Sequence, residues 1–207
     1  MVSTKLYMVC TAIFNLFKLK IQQYKYNNCE LSNRIKLCGR VRFKLGRKAF
    51  MKLSEGCVVT GGAFINCLGC LRGSCIQVEN GATLQIGRNS GMSNVSIWVR
   101  DKVIIGDYVT IGAETIINDS NSHCINYLER RGERKNGVVF QELNIKRAPI
   151  YIENDVFIGA RSIICKGVRI GTRSVIAAGS VVVKDIPSDE VWGGNPCKFL
   201  RKLENNV

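Results

Sequence analysis

An all-β fold, a parallel coil that turns a corner every six residues, is what this sequence predicts, and three observations predict it. Residues 158–181 read as IGARSI, ICKGVR, IGTRSV and IAAGSV without a gap, each unit opening on isoleucine. The second position of these units is Gly, Cys or Ala, and the fifth is Ser or Val. Upstream, IGDYVT and IGAETI hold the same phase over 105–116, with looser copies in VENGAT from Val78 and IGRNSG from Ile86. A period of six suits neither a helix at 3.6 residues per turn nor an amphipathic strand at 2. It suits a three-sided coil in which an aliphatic side chain points inward on each side and a small residue follows where the backbone turns. Such coils stack as parallel strands, and each touches only its neighbours.

The elements follow in chain order. Residues 1–30 are non-repetitive and partly helical, and are expected to cap the open end of the stack, since exposed strand edges need cover. An amphipathic anchor on a membrane surface is the other reading of this segment. Residues 31–207 form one coiled domain. Its first coils are irregular, in KLCGRVRFKLGRKAFMKLSEGCVVTGGAFI (36–65), where apolar and polar residues alternate between recurrent glycines. Between Asn118 and Pro149 the phase is lost in a polar, charged stretch, and it resumes with IYIENDVFIGA. A long loop inside a compact repeat is commonly functional, because one opened corner projects a segment while the coils above and below stay stacked.

Composition bounds the function. A chain of 207 residues with 46% hydrophobic content is long enough to bury a core. Its formal charge of +14 suits anionic partners, but no recognition helix, zinc-finger spacing or ribonucleoprotein-type aromatic motif accompanies it, so nucleic acid is not the expected partner. The ten cysteines read as thiols of a cytoplasmic protein, packed as small hydrophobes. CLGC at Cys67–Cys70 lacks the second ligand pair of a structural zinc site, so no metal is expected. The apolar LYMVCTAIFNLFKLK (6–20) has no small-residue cleavage site, and Thr11 and Asn15 interrupt it. It is too short to span a bilayer.

The repeat units resemble those of the hexapeptide-repeat acyltransferases. The tail GVRIGTRSVIAAGSVVVKDIPSDEVWGGNPCKFLRK is similar to the C-terminal signature of galactoside, maltose and capsule-sugar O-acetyltransferases. The resemblance is strong over 78–203 and weak before that. It implies a left-handed parallel β-helix, a homotrimer with sites between subunits, and acetyl-CoA as co-substrate. It also implies a sugar or glycan acceptor, with peripheral contact at the inner membrane face as one setting. One histidine excludes a γ-class carbonic anhydrase, whose zinc needs several.

His123, the only histidine in the chain, opens the loop and is the expected general base, the role that the resemblance also gives the histidine of this loop. Moving an acetyl group from a thioester to a hydroxyl requires removal of the hydroxyl proton during attack, work suited to imidazole. The thioester is already activated, so no covalent enzyme intermediate is needed; a backbone N–H or a polar side chain would hold the oxyanion. Asp119 orients the imidazole, binds a sugar hydroxyl or shapes the turn, and these readings stay open. Arg130 and Arg131 resemble basic residues that follow this histidine in similar enzymes, where they would meet an anionic acceptor.

By motif position, the resemblance places Ala160 and Ala178 along the pantetheine arm, with Lys184, Lys198 and Arg201 toward the phosphates. The chain departs from galactoside enzymes at Phe157, where they carry Trp. It also carries Met92 and Arg100 where an approximate alignment finds their acceptor-binding Asn and Asp. That favours an acceptor in capsule or lipopolysaccharide over galactoside. An amino-sugar N-acetyltransferase of the same fold and a non-catalytic basic β-helical binding module remain as alternatives.

Overall fold

A computed structural model describes residues 4–62, 65–66, 68, 73–132, 134–135, 138–139 and 145–204. The chain opens with helix α1 (Thr4–Tyr26) and then winds through three parallel sheets. The first face stacks Cys29–Leu31, Phe50–Leu53, Thr83–Ile86, Lys102–Ile105, Ile150–Ile152 and Arg169–Ile170. The second stacks Lys36–Gly39, Val58–Gly61, Gly91–Ser93, Thr110–Ile111, Phe157–Ile158, Val175–Ile176 and Glu190–Gly193. The third stacks Val41–Leu45, Ser74–Val78, Ser96–Val99, Ile116–Asn118, Ile163–Cys165 and Val181–Val182. Each turn of the chain visits the three faces in order, which makes a parallel β-helix. Coiling begins at Cys29, which pairs with Met51, inside the segment expected as the cap.

The six-residue period becomes columns of side chains along the axis. On the third face Ile76, Ile97, Ile117, Ile164 and Val182 are register partners in succession, and none is more than 1% exposed. The second face carries Met92, Ile111, Ile158, Ile176 and Trp192 in the same way. Burial of this continuous column drives the stacking, at roughly 25 cal/mol for each Å² of apolar surface removed from water. The fifth-position serines point inward too. Ser162 Oγ donates to the carbonyl of Gly159 at 2.8 Å and Ser174 Oγ to that of Pro187 at 2.6 Å, so the buried hydroxyls satisfy corner carbonyls.

The second-position glycines have a steric reason. A Cβ on Gly112 would lie 2.4 Å from the backbone nitrogen of Ala160, and one on Gly159 would lie 2.4 Å from that of Ala178. Adjacent coils approach too closely at this corner for any side chain.

Helix α1 packs across the start of the stack, against Cys29–Leu31, Lys36–Gly39 and Val41–Leu45. Asn15 Nδ2 donates to the carbonyls of Leu37 (2.8 Å) and Gly39 (3.1 Å), and Thr11 Oγ1 accepts from Gly39 N (2.8 Å). Backbone groups at the edge strand thereby find partners. At the other end, Lys198–Lys202 folds back antiparallel on Glu190–Gly193.

The cysteines divide. Cys29, Cys38, Cys57, Cys124 and Cys197 are buried, in keeping with small hydrophobes, whereas Cys10 and Cys75 are exposed and correct that expectation for themselves. Cys10 lies on the outward side of α1, and Cys75 points out of its strand because its neighbours Ser74 and Ile76 point in. Cys67 and Cys70 lie outside the described residues. Among the described residues no His, Cys, Asp and Glu cluster has the makings of a metal site.

Candidate functional site

The regular coils stop at Ile116–Asn118, and the next segment forms a stapled stem. Asn121 N donates to the carbonyl of Lys146 (3.0 Å), Ala148 N donates to that of Asp119 (3.0 Å), and Ser120 bridges Arg147 antiparallel. The excursion is thus closed at its base while the strands on either side stay in register, Ile117 against Ile164. His123 leaves the stem two residues after its last bond. The turn that carries it is bound to the stack through Asn118, whose Oδ1 accepts from Ser120 N (3.2 Å) and Oγ (3.0 Å). Asn118 Nδ2 donates to Ser122 Oγ at 3.0 Å. Ser122 sits at φ +62°, a left-handed conformation held by this polar cluster. The result is an exposed imidazole on an anchored backbone.

Beyond His123 the chain is held again. Cys124 is buried; its Sγ donates to Glu129 Oε2 (2.7 Å), and its carbonyl accepts from Arg130 (3.0 Å). Helix α2 (Tyr127–Gly132) follows, and Arg131 lies over the Tyr127 ring at 5.1 Å on its exposed side. Arg130 therefore braces the loop, and Arg131 faces solvent.

Asp119 has a different setting from His123. It is fully buried, and its two carboxylate oxygens accept the backbone N–H groups of Arg100 and Asp101, each at 2.8 Å. Burial pushes its pKa up, opposed by those same N–H groups. These bonds tie the start of the loop to the backbone of the preceding coil. A carboxylate so enclosed has no surface to offer a sugar hydroxyl.

The outward strip beside the loop escaped the sequence reading. Gln77, Trp98, Asn118 and Cys165 are successive register partners on the third face. Trp98 Nε1 donates to Glu79 Oε1 at 3.0 Å, Gln77 Nε2 donates to the same oxygen, and the Arg100 guanidinium lies 4.3 Å from the Trp98 ring. Burial alone would raise the Glu79 carboxyl, but those hydrogen bonds and the nearby Lys44 and Arg100 outweigh it and hold it below its ordinary value. The available signal was the parity of the strands, since residues next to inward Ile97 and Ile117 must point out. Met92, compared in sequence with an acceptor-binding Asn, is an inward core residue only 4% exposed. Its outward neighbours are Gly91 and Ser93.

The expected donor residues gather elsewhere. Ala113, Ala160 and Ala178 form a ladder at the corner between the second and third faces, since Arg161 N donates to the Ala113 carbonyl (2.7 Å) and Gly179 N to that of Ala160 (2.8 Å). At its C-terminal end, Lys184 Nζ lies 4.9 Å from the Trp192 ring, and Lys198 pairs with Gly193 across the terminal hairpin. Lys184, Lys198 and Arg201 are all exposed there. The small side chains leave the ladder's backbone uncovered, and the three cations stand at its C-terminal end, an arrangement of the kind that can take an extended chain of amides ending in phosphates. His123 emerges at the opposite edge of the third face.

Comparison with known proteins agrees with this architecture. Residues 149–184 match a family model described as the hexapeptide repeat of succinyl-transferase. A galactoside O-acetyltransferase of Lactococcus lactis subsp. lactis is 32% identical over 165 residues, 80% of this chain and 69% of the relative. The galactoside O-acetyltransferase of Escherichia coli K12 is 36% identical over 132 residues, covering 63% of this chain. The match spans 59% of that relative's length. A 2,3,4,5-tetrahydropyridine-2,6-dicarboxylate N-acetyltransferase of Clostridium perfringens is 46% identical over 61 residues, 30% of this chain and 26% of the relative. Among solved structures, a hexapeptide-repeat acetyltransferase of Vibrio cholerae complexed with acetyl coenzyme A superposes with TM-score 0.55 at 25% identity. That superposition covers 92% of this chain and 79% of the other.

Proposed function

Because this chain belongs to the hexapeptide-repeat acetyltransferases, we propose that it is an acetyl-CoA-dependent sugar O-acetyltransferase with His123 as its general base. The observation that carries this reading is the sole histidine, held exposed just beyond a hydrogen-bonded stem. In the reaction the imidazole takes the proton of an acceptor hydroxyl as that oxygen attacks the thioester carbonyl carbon. The carbon–sulfur bond then breaks, and the imidazolium returns the proton to the departing thiolate. Ala160 and Ala178 line the pantetheine arm, and Lys184, Lys198 and Arg201 meet its phosphates.

The helix is left-handed in this reading, the hand of its family, and the protein works as a homotrimer. The donor ladder and His123 lie on opposite edges of the third face, so a second copy alongside brings one chain's histidine to the other's ladder. The outward residues next to the ladder support such a contact: Ile116 and Ile163, register partners, are 43% and 37% exposed. The acceptor is a sugar of surface polysaccharide, capsule or lipopolysaccharide, met at the cytoplasmic side, for which the +14 charge suits an anionic glycan.

The test is His123→Ala, which is expected to keep its fold and bind coenzyme A while transfer falls by about 10²-fold or more. Transfer near the wild-type rate would refute the mechanism. N-acetylation of an amino sugar is the second reading; the local 46% identity to the Clostridium perfringens N-acetyltransferase speaks for transfer to nitrogen. Lability of the product to mild base separates them, because an ester is cleaved where an amide survives.

A further inference from the structure

Helix α1 wears its apolar side outward. A helix that covers a core turns its apolar stripe inward and its polar face to water. Here Asn15 and Leu19 are the buried positions, and the bonds to the stack come from Thr11, Asn15 and Gln22. The outward line is Leu6 (54% exposed), Ile13 (65%), Phe17 (60%) and Tyr24 (94%), flanked by Val9 and Ile21 at about half exposure. At 3.6 residues per turn, those four lie within about 40° of one direction. Such a stripe is too large and too continuous to read as scattered surface apolars.

Charge identifies the occupant. Residues 1–53 hold twelve of the thirty basic residues and only one of the sixteen acidic ones, Glu30. Lys5 lies beyond Val9 on one side of the stripe and Lys18 and Lys25 on the other, with Lys20 at its edge between Ile13 and Val9. Lys18 Nζ is 4.2 Å from the Phe14 ring, its stem along apolar surface and its charge in water. The seam between α1 and the first coils is a groove of about 1040 Å³ lined in part by Lys18, Arg40 and Arg42. A second copy at this face would oppose two ends of the same positive sign. No described helix is long and apolar enough to cross a membrane.

We propose that the outward face of α1 docks in the plane of an anionic bilayer surface, its apolar side chains among the acyl chains and its lysines at the headgroups. Phosphatidylglycerol-containing vesicles are the probe, with pure phosphatidylcholine vesicles as control and full-length protein throughout. The protein is expected to float with the anionic vesicles, weakly with the neutral ones, and less as salt rises. Ile13→Ser/Phe17→Ser should weaken partitioning about tenfold or more at unchanged melting temperature. Lys18→Glu/Lys20→Glu should weaken it with every apolar side chain of the stripe kept, and decides the matter if the serine variant is less stable. Absence of flotation with anionic vesicles overturns the proposal, as does flotation indifferent to both variants. Loss of an oligomer in the serine variant, without vesicle binding by the parent, would give the stripe to a second copy instead. Salt-sensitive nucleic-acid binding without vesicle binding would likewise overturn it.

Discussion

Gly159→Ala tests the geometry that sets the coil spacing. A Cβ at this position meets backbone atoms of the next coil, Ala178 N at 2.4 Å and Ala178 Cα at 2.7 Å. Ordinary contact begins near 3.4 Å, so the coils must part by about 1 Å. Gly159 N donates to the Ile176 carbonyl at 2.8 Å beside this contact. Parting by that amount takes the bond beyond useful length, a loss of about 1 kcal/mol. Residual overpacking adds about 1–3 kcal/mol, for a total near 2–4 kcal/mol. In a chain of this size that lowers the melting temperature by roughly 4–16 °C, read by circular dichroism at fixed protein concentration. Gly91→Ala is the control, because its Cβ meets nothing within 4 Å and its φ is not positive; it should shift stability by less than about 0.5 kcal/mol. The variant should also raise KM for acetyl-CoA, since Ala178 belongs to the proposed donor ladder. Equal melting temperatures for the two alanine variants would refute the claim that close approach dictates glycine at this corner.

Asp119→Asn should cost about 1–3 kcal/mol, because an amide can accept one of the two backbone N–H groups but turns its own N–H toward the other; a normal melting temperature with a raised acceptor KM would instead make Asp119 an acceptor ligand. Burial pushes the Cys57 thiol up to about 12, so native labelling with a thiol reagent should modify exposed Cys10 and Cys75 and leave Cys57 until unfolding. Among the carboxylates that bridge neighbouring coils, Asp107 pairs with Arg88, Glu153 with Arg169 and Asp189 with Arg173. Each has its pKa lowered, chiefly by the hydrogen bond from its arginine. Their contribution is present above the unfolded carboxylate range and is lost as pH falls through the lowered folded values. Melting temperature should therefore fall below about pH 4, and Arg169→Met/Arg173→Met should flatten that dependence. Solvent screening keeps the effect small at neutral pH.

The sequence by itself determined the architecture and the place of the candidate base. A six-residue recurrence of isoleucine with a small residue behind it leaves few ways to bury one and turn on the other, and stacked coils satisfy both. The loss of that recurrence at Asn118 marked the loop, and a lone histidine beside the break stood out because the repeat has no use for one. Only the tertiary structure decided what depends on register between distant residues. Asp119 looked available in sequence, but its partners are the N–H groups of residues 100 and 101, one coil back, and they enclose it. Met92 and Ser93 exchange inside for outside by a single step of strand parity. The strip of Gln77, Trp98 and Asn118 comes together through stacking, since its members are about twenty residues apart in the chain. Helix α1 shows the same limit: the sequence marks a segment that covers the coil end but not which of its faces does so, and the coil end needed hydrogen bonds more than hydrocarbon. Asn15 and Thr11 therefore face inward, and Phe17 faces out.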